Sequence, residues 1–214
     1  MTRQPAGRQR RWLVGVLAGV IAVGLLLSGG ALAVLTGVGD PSVPAEGSVD
    51  AGFARDMSTH HQQAVSMAGL VRDRSTDPDV QLFAYDVEFT QNSQVGMMQG
   101  WLQAWGLPVN TLAPQMSWMS GHQDMAGGPM PGMATPAQLT ELRTLSGAEL
   151  DVRFLQLMIV HHQGGLAMAE YAVANANADV VRRLAQTIVD SQSAEVLTME
   201  AMLRSRGGSA LPPP

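Results

Sequence analysis

One 19-residue pattern occurs twice in this chain, and the repeat restricts its possible folds more than any other feature. Residues 50–68 read DAGFARDMSTHHQQAVSMA and residues 151–169 read DVRFLQLMIVHHQGGLAMA, an offset of 101 without a gap. Eight of the 19 positions are identical: Asp50/Asp151, Phe53/Phe154, Met57/Met158, His60/His161, His61/His162, Gln62/Gln163, Met67/Met168 and Ala68/Ala169. Chance alone would give roughly one. The same offset continues through Val80/Val181, Ala84/Ala185, Gln91/Gln192, Val95/Val196, Met98/Met199 and Leu102/Leu203. Each copy is therefore one supersecondary unit, and the two bury their apolar faces together.

The spacing within the copies predicts helices. Phe53, Met57, His60, Ala64, Met67 and Val71 alternate steps of four and three, the seam of a helix from Asp50 to about Arg74. Thr76-Asp77-Pro78 closes it and opens the next helix, with a capping residue and proline at the first turn. Ala84, Val87, Gln91, Gln94, Met98, Trp101 and Trp105 keep the seam until Gly106 and Pro108 end it. Thr135-Pro136 with Gln138 predicts a short capped helix, and Ser146 with Glu149 predicts a second capping box opening the next one. That helix carries Phe154, Met158, His161, Gly165, Met168 and Ala172 on its seam. The last one, from about Asp179 to Arg204, carries Ala185, Ile188, Gln192, Glu195, Met199 and Met202. Two such hairpins predict an all-α, antiparallel four-helix bundle. The expected organisation is a basic N-terminus (1–11), a transmembrane anchor or signal peptide (12–38) and a linker (39–49). The first hairpin (50–106), a Met/His-rich connector (107–135), the short helix with the second hairpin (136–206) and a tail (207–214) follow.

Absence of cysteine excludes disulfides, zinc–thiolate sites, iron–sulfur clusters and a thiol nucleophile. Of 13 basic residues, Arg3, Arg8, Arg10 and Arg11 precede all 18 acidic ones, leaving an acidic body unsuited to nucleic acid and compatible with cations. Trp12 to Val38 carries no charge and exceeds the ~20 apolar residues that cross a bilayer. Arginines ahead of it place the N-terminus in the cytoplasm and the body outside. A retained single-pass anchor is expected, because the apolar run continues beyond the Ala31-Leu32-Ala33 site at which a signal peptide would be cut. If it is cut, the body is periplasmic or secreted.

Hairpin geometry puts His60 level with Gln91 and Gln94, and His161 level with Gln192 and Glu195. A metal-free histidine–amide layer would satisfy these groups. The histidines are doubled, however, and neighbours on a helix point about 100° apart. His60 and His61 thus span the interior and an adjacent groove, with Met57 beside both. Imidazole with thioether suits copper, methionine favouring Cu(I) and histidine serving Cu(I) or Cu(II). Zinc and iron are alternatives. A ferritin-type di-iron site wants Glu-x-x-His, and Met57 and Met158 stand where those glutamates belong. The connector is a second signal: Met116, Met119, His122 and Met125 fall every third residue, followed by Met130 and Met133. Exposed thioethers there would capture Cu(I); a flexible, low-complexity connector is the alternative.

Together, Asp-x-x-Phe-x-x-x-Met-x-x-His-His-x-x-x-x-x-Met-Ala followed by Gln-x-x-(Glu/Gln)-(Ile/Val)-x-x-Met-x-x-x-Leu resembles the signature of bacterial domain-of-unknown-function family number 305, in tandem over about residues 50–204. The resemblance implies a ferritin-like helical bundle, exported or membrane-anchored, with some members linked to copper binding and resistance. The matching positions are Asp50, Met57, His60, His61, Met67, Gln91 and Met98, then Asp151, Met158, His161, His162, Met168, Gln192, Glu195 and Met199. The first copy departs from the motif at Gln94, Thr59 and Gln63, which makes the second the better-equipped site. The expected function is extracytoplasmic copper sequestration, resistance or transfer, alone, as a homo-oligomer or with a copper-handling partner protein. A ferroxidase or cuprous oxidase is the alternative, and a metal-free structural module is another. No nucleophile–base–oxyanion arrangement is visible, so an enzyme is the weaker reading.

Overall fold

A computed structural model of the protein describes residues 43–119 and 130–214. The expected membrane segment and two of the proposed connector ligands, His122 and Met125, lie outside them. The described residues form five helices and no strand: α1 (Val49–Arg72), α2 (Pro78–Ala104), α3 (Pro136–Thr144), α4 (Gly147–Asn175) and α5 (Asp179–Ser205). None of these is long and apolar enough to cross a membrane.

Local side-chain caps start three of the five helices. Ser48 accepts from the Ala51 N–H of α1, and Asp77 accepts from the Asp79 and Val80 N–H groups of α2. Thr135 and Gln138 form a reciprocal capping box on α3. The box expected at Ser146 and Glu149 does not form, since Ser146 makes no side-chain cap bond. Gly147 enters α4 with φ +56°, a left-handed turn that carries the first helical amides away from the serine. At α5 the cap residue is Ala178, which has no polar side chain. Asp50 of α1 acts in its place, accepting from the Asn177 and Ala178 N–H groups at 3.2 and 2.8 Å. A carboxylate near a helix N-terminus is favourable, and this contact ties the start of α1 to the end of α4.

The two helical hairpins, α1–α2 and α4–α5, meet through α1 and α4. Two apolar clusters form the core. One contains Phe53, Ala54 and Met57 of α1, Met98 and Leu102 of α2, Met168 and Ala172 of α4, and Ala185 and Ile188 of α5. The other contains Ala64 and Met67 of α1, Val80, Ala84 and Val87 of α2, Leu150, Phe154 and Met158 of α4, and Met199 and Leu203 of α5. On every one of the four long helices, the stretch between the two clusters carries the polar residues common to both repeats: His60/His61, Gln91/Gln94, His161/His162 and Gln192/Glu195. The core is thus an apolar layer, a polar layer and a second apolar layer.

Candidate metal centre

His60 lies near the middle of α1 and His161 near the middle of α4, so the crossing of these helices brings the two rings together. Their centroids are 3.8 Å apart, with the planes tilted by 37°. His60, His61, His161 and His162 are all fully buried. Both halves of the doublet point inward; the groove expected for the second histidine does not exist, because α2 and α5 cover it.

Pairing within the layer differs from the simple hairpin expectation. The second histidine of each doublet, not the first, faces its own hairpin. His61 Nε2–H donates to Gln94 Oε1 at 2.7 Å, and His162 Nε2–H donates to Glu195 Oε2 at 2.7 Å. The first histidines face each other, and His60 Nε2–H also donates to the backbone carbonyl of Pro131 at 3.0 Å. All three partners are oxygen acceptors, so each ring carries its proton on Nε2 and a lone pair on Nδ1. No protein group uses those lone pairs. Nδ1 of His60, His61, His161 and His162, and Nε2 of His161, are buried without a hydrogen-bond partner, as are both amide atoms of Gln91 and Gln192. Gln192 reaches this centre over Gly165, where a Cβ would stand 2.8 Å from Gln192 Oε1 and 3.3 Å from His60 Cε1. Copy one has Ala64 at that position.

Burial keeps the His60, His61 and His161 rings neutral. Burial pushes His60 down to about 4, against a partial upward pull from the Pro131 carbonyl. Burial, with repulsion from His60, pushes His61 down to about 3. His161 is lowered well below the ordinary histidine value, first by burial and then by the three other rings, against a partial upward pull from the His60 backbone carbonyl. Neutral imidazole is the metal-binding form.

The thioethers of both copies lie in the apolar layers flanking the histidines. Met57, Met98, Met158, Met168 and Met199 are fully buried and Met67 nearly so, with Met57 and Met158 one helical turn from their doublets. Asp50 stands apart: it is ten residues before His60, roughly 15 Å along the helix, and its oxygens are engaged at Asn177 and Ala178. Asp151 occupies the equivalent place on α4, buried, with Oδ1 lacking a partner. Among the described residues, no three His, Asp or Glu side chains stand as a ready group around one ion. An ion would instead draw on imidazole together with thioether or amide donors. The residues present fit a soft cation better than a hard one.

Within the described part of the connector, most of the thioethers are buried, contrary to the exposure that its composition suggested. Met116, Met119 and Met130 are 1%, 2% and 2% exposed and belong to the first apolar cluster. Three features of α1 explain why. Asp56 Oδ2 accepts from the Met116 N–H at 2.7 Å and the Trp118 indole N–H at 2.8 Å. Gly52 leaves the space in which Trp118 lies, since a Cβ there would be 2.3 Å from its ring. Gln63 grips Ala134 through both backbone groups. Burial raises the Asp56 carboxyl above its usual value, partly offset by its two hydrogen bonds and by Arg55. Met116 adopts φ +63°, a strained conformation for a non-glycine residue, held by the Asp56 bond and by burial. None of these anchors was among the expected site residues. Their one signal in the sequence is that they sit where the copies disagree: Gly52 against Arg153, Asp56 against Leu157, Gln63 against Gly164.

Comparison with known proteins gives a consistent picture. The family described as "Domain of unknown function (DUF305)" matches residues 50–203. A crystal structure of a DUF305 protein from Streptomyces coelicolor, provisionally described as secreted, is 47% identical; the match covers 78% of this chain and 99% of that one, with a TM-score of 0.73. A DUF305 fragment from Deinococcus radiodurans is 33% identical over 73% of this chain and 96% of that one, with a TM-score of 0.62. CopM in its Cu(II)-bound form is 28% identical over 74% and 97%, with a TM-score of 0.58. No curated protein matches the sequence.

Proposed function

Because the chain belongs to the DUF305 family, we propose that it is an extracytoplasmic copper-binding protein, a ferritin-like four-helix bundle that sequesters copper or hands it on. The observation that carries this reading is the polar layer itself, with five ring nitrogens buried and without partners. Leaving a buried polar group unsatisfied costs about 1–3 kcal/mol. A layer of leucines would hold the hairpins together without that cost, so the histidines have a use that packing does not supply.

Copper is the cargo here. Nδ1 of His60, His61 and His162 and either nitrogen of His161 are the donors on offer, with Met57 and Met158 the nearest thioethers along the helices. Glu195 holds the His162 ring and adds negative charge, whereas Gln94 holds His61 with a neutral amide. The second copy therefore favours a cation more strongly than the first. CopM structures solved in Cu(II)- and Cu(I)-bound forms, at 28% and 26% identity, support the choice of metal. The provisionally secreted relative supports export, and the uncharged 12–38 segment supports a membrane tether. In the connector, Met116 and Met119 support the fold as buried residues; His122 and Met125 are candidate auxiliary ligands.

Elemental analysis of residues 45–214, equilibrated with copper, zinc and iron and then desalted, tests the reading. At least about one copper per chain is expected to remain, and replacing His60, His61, His161 and His162 by alanine should abolish retention. Retention of zinc or iron in place of copper, or copper retention unchanged in the alanine variant, would sink it.

A further inference from the structure

Residues 130–134 cross the groove between α1 and α4 over the close His60/His161 pair. On the α4 side the approach is backbone to backbone. Gly132, at φ +77°, has no room for a Cβ, which would lie 2.4 Å from the Val160 carbonyl oxygen and 3.0 Å from His161 Cα. Gly164 gives way in the same manner, because a Cβ there would lie 2.1 Å from the Pro131 carbonyl oxygen. On the α1 side the segment is held by side chains. Pro131 accepts from His60, and Gln63 binds Ala134 twice: Gln63 Nε2–H donates to the Ala134 carbonyl at 3.0 Å, and the Ala134 N–H donates to Gln63 Oε1 at 2.7 Å. A turn closed by the Met133 N–H on the Met130 carbonyl keeps the strap compact, and the buried Met130 side chain roots one end. Positions 63 and 164 are equivalents in the repeat. One copy supplies the residue that grips the strap, and the other supplies the gap that admits it.

We propose that Gln63 is a positioning residue of the histidine centre: its two bonds to Ala134 hold the Met130–Ala134 strap down, so that the Pro131 carbonyl keeps the His60 lone pair on Nδ1 and the strap is the barrier an ion must lift to reach His60 and His161. The part that concerns ions rests on the copper reading; the clip and the ring orientation do not.

The test uses the metal-free full chain. Gln63→Met keeps the length of the side chain and removes both hydrogen bonds. Gly132→Ala forces the strap off α4 from its own side. Acylation of His60 by diethyl pyrocarbonate, located by peptide mass spectrometry, reports exposure. Ring ¹⁵N shifts report the tautomer, and hydrogen exchange at the Ala134 amide reports the clip. Two lost hydrogen bonds predict opening, and hence acylation and exchange, roughly ten- to a hundredfold faster in Gln63→Met. The His60 population with its proton on Nε2 should fall, with helicity unchanged. If that variant does not fold, Gln63→Glu, which keeps the acceptor and loses the donor, is expected to give an intermediate acceleration. Acylation of His60 at the parent rate in the folded variants, or a parent His60 ring protonated on Nδ1, overturns the proposal. The copper reading is scored separately with the same proteins. Faster acylation with no copper retained supports the strap and refutes copper binding; faster copper uptake at unchanged stoichiometry supports both.

Discussion

Acidification of the metal-free protein should destabilise it in a window well above that of ordinary carboxylate titration. His60 and His61 are pushed to about 4 and about 3, and His161 is also strongly lowered, in each case mainly by burial. In the unfolded chain the same residues titrate near 6.5. Above that value both states are neutral and the histidines add no pH dependence. Below it the unfolded chain takes up protons that the folded chain refuses, so stability falls as pH falls, and continues to fall until the folded rings protonate. Each histidine contributes a slope of about 1.4 kcal/mol per pH unit. At pH 5 that is about 2 kcal/mol per ring, and three rings together approach the roughly 5–15 kcal/mol stability of a typical domain. Asp56, raised by burial, works in the opposite direction. Asp77, where desolvation is outweighed by the pairing with Arg206 and the Val80 and Asp79 N–H bonds so that its carboxyl is lowered, matters only below its ordinary value of 3.8 and so outside the window. Urea denaturation of the metal-free chain from pH 8 to pH 4.5 measures the effect. The expected result is a plateau above about pH 7 and a steep loss below about pH 6. His161→Leu should reduce the slope. Stability that stays level from pH 7 to pH 5 would refute the argument, because it would mean that the rings are hydrated or charged in the native state.

Glu195→Gln converts the second copy into the first at the group that orients His162, and copper affinity measured against a competing chelator should weaken by roughly ten- to a hundredfold, the usual consequence of losing a ligand-orienting carboxylate. The reverse change, Gln94→Glu, should strengthen binding at His61; no change in either variant would show that these residues do not orient ligands. Gly165→Ala places a Cβ 2.8 Å from Gln192 Oε1 and 3.3 Å from His60 Cε1, and should lower stability by about 1–3 kcal/mol, as overpacking does. A shift of the urea midpoint at constant slope checks it, and an unchanged midpoint would show that Gln192 moves aside freely.

What was legible in the sequence and what was not divide along a physical line. Helix seams depend on side chains of the same element, and the repeat made those seams readable twice; the polar layer followed because both copies carry it. Which histidine faces which partner was not readable, because it depends on the angle at which α1 crosses α4. Hairpin register alone put His60 against Gln91 and Gln94, whereas the crossing turns it toward His161 and leaves Gln94 to His61. The burial of Met116, Met119 and Met130 was not readable for a related reason. The connector's anchors are mostly its own backbone groups, the Met116 and Ala134 N–H and the Pro131 and Ala134 carbonyls, and every residue type carries these, so composition cannot reveal them. The readable half of each contact lies on the repeat helices. Identical positions in a tandem repeat satisfy what both copies share, here the layer. A single connector can cross only one way over a nearly two-fold centre, so the residues that receive it must differ between the copies. Gln63 against Gly164 and Ala64 against Gly165 are such differences: the two identities following HHQ distinguish the side that grips from the side that yields. In a duplicated chain the mismatches therefore carry information about asymmetric parts, and here they mark the residues that enclose the histidines.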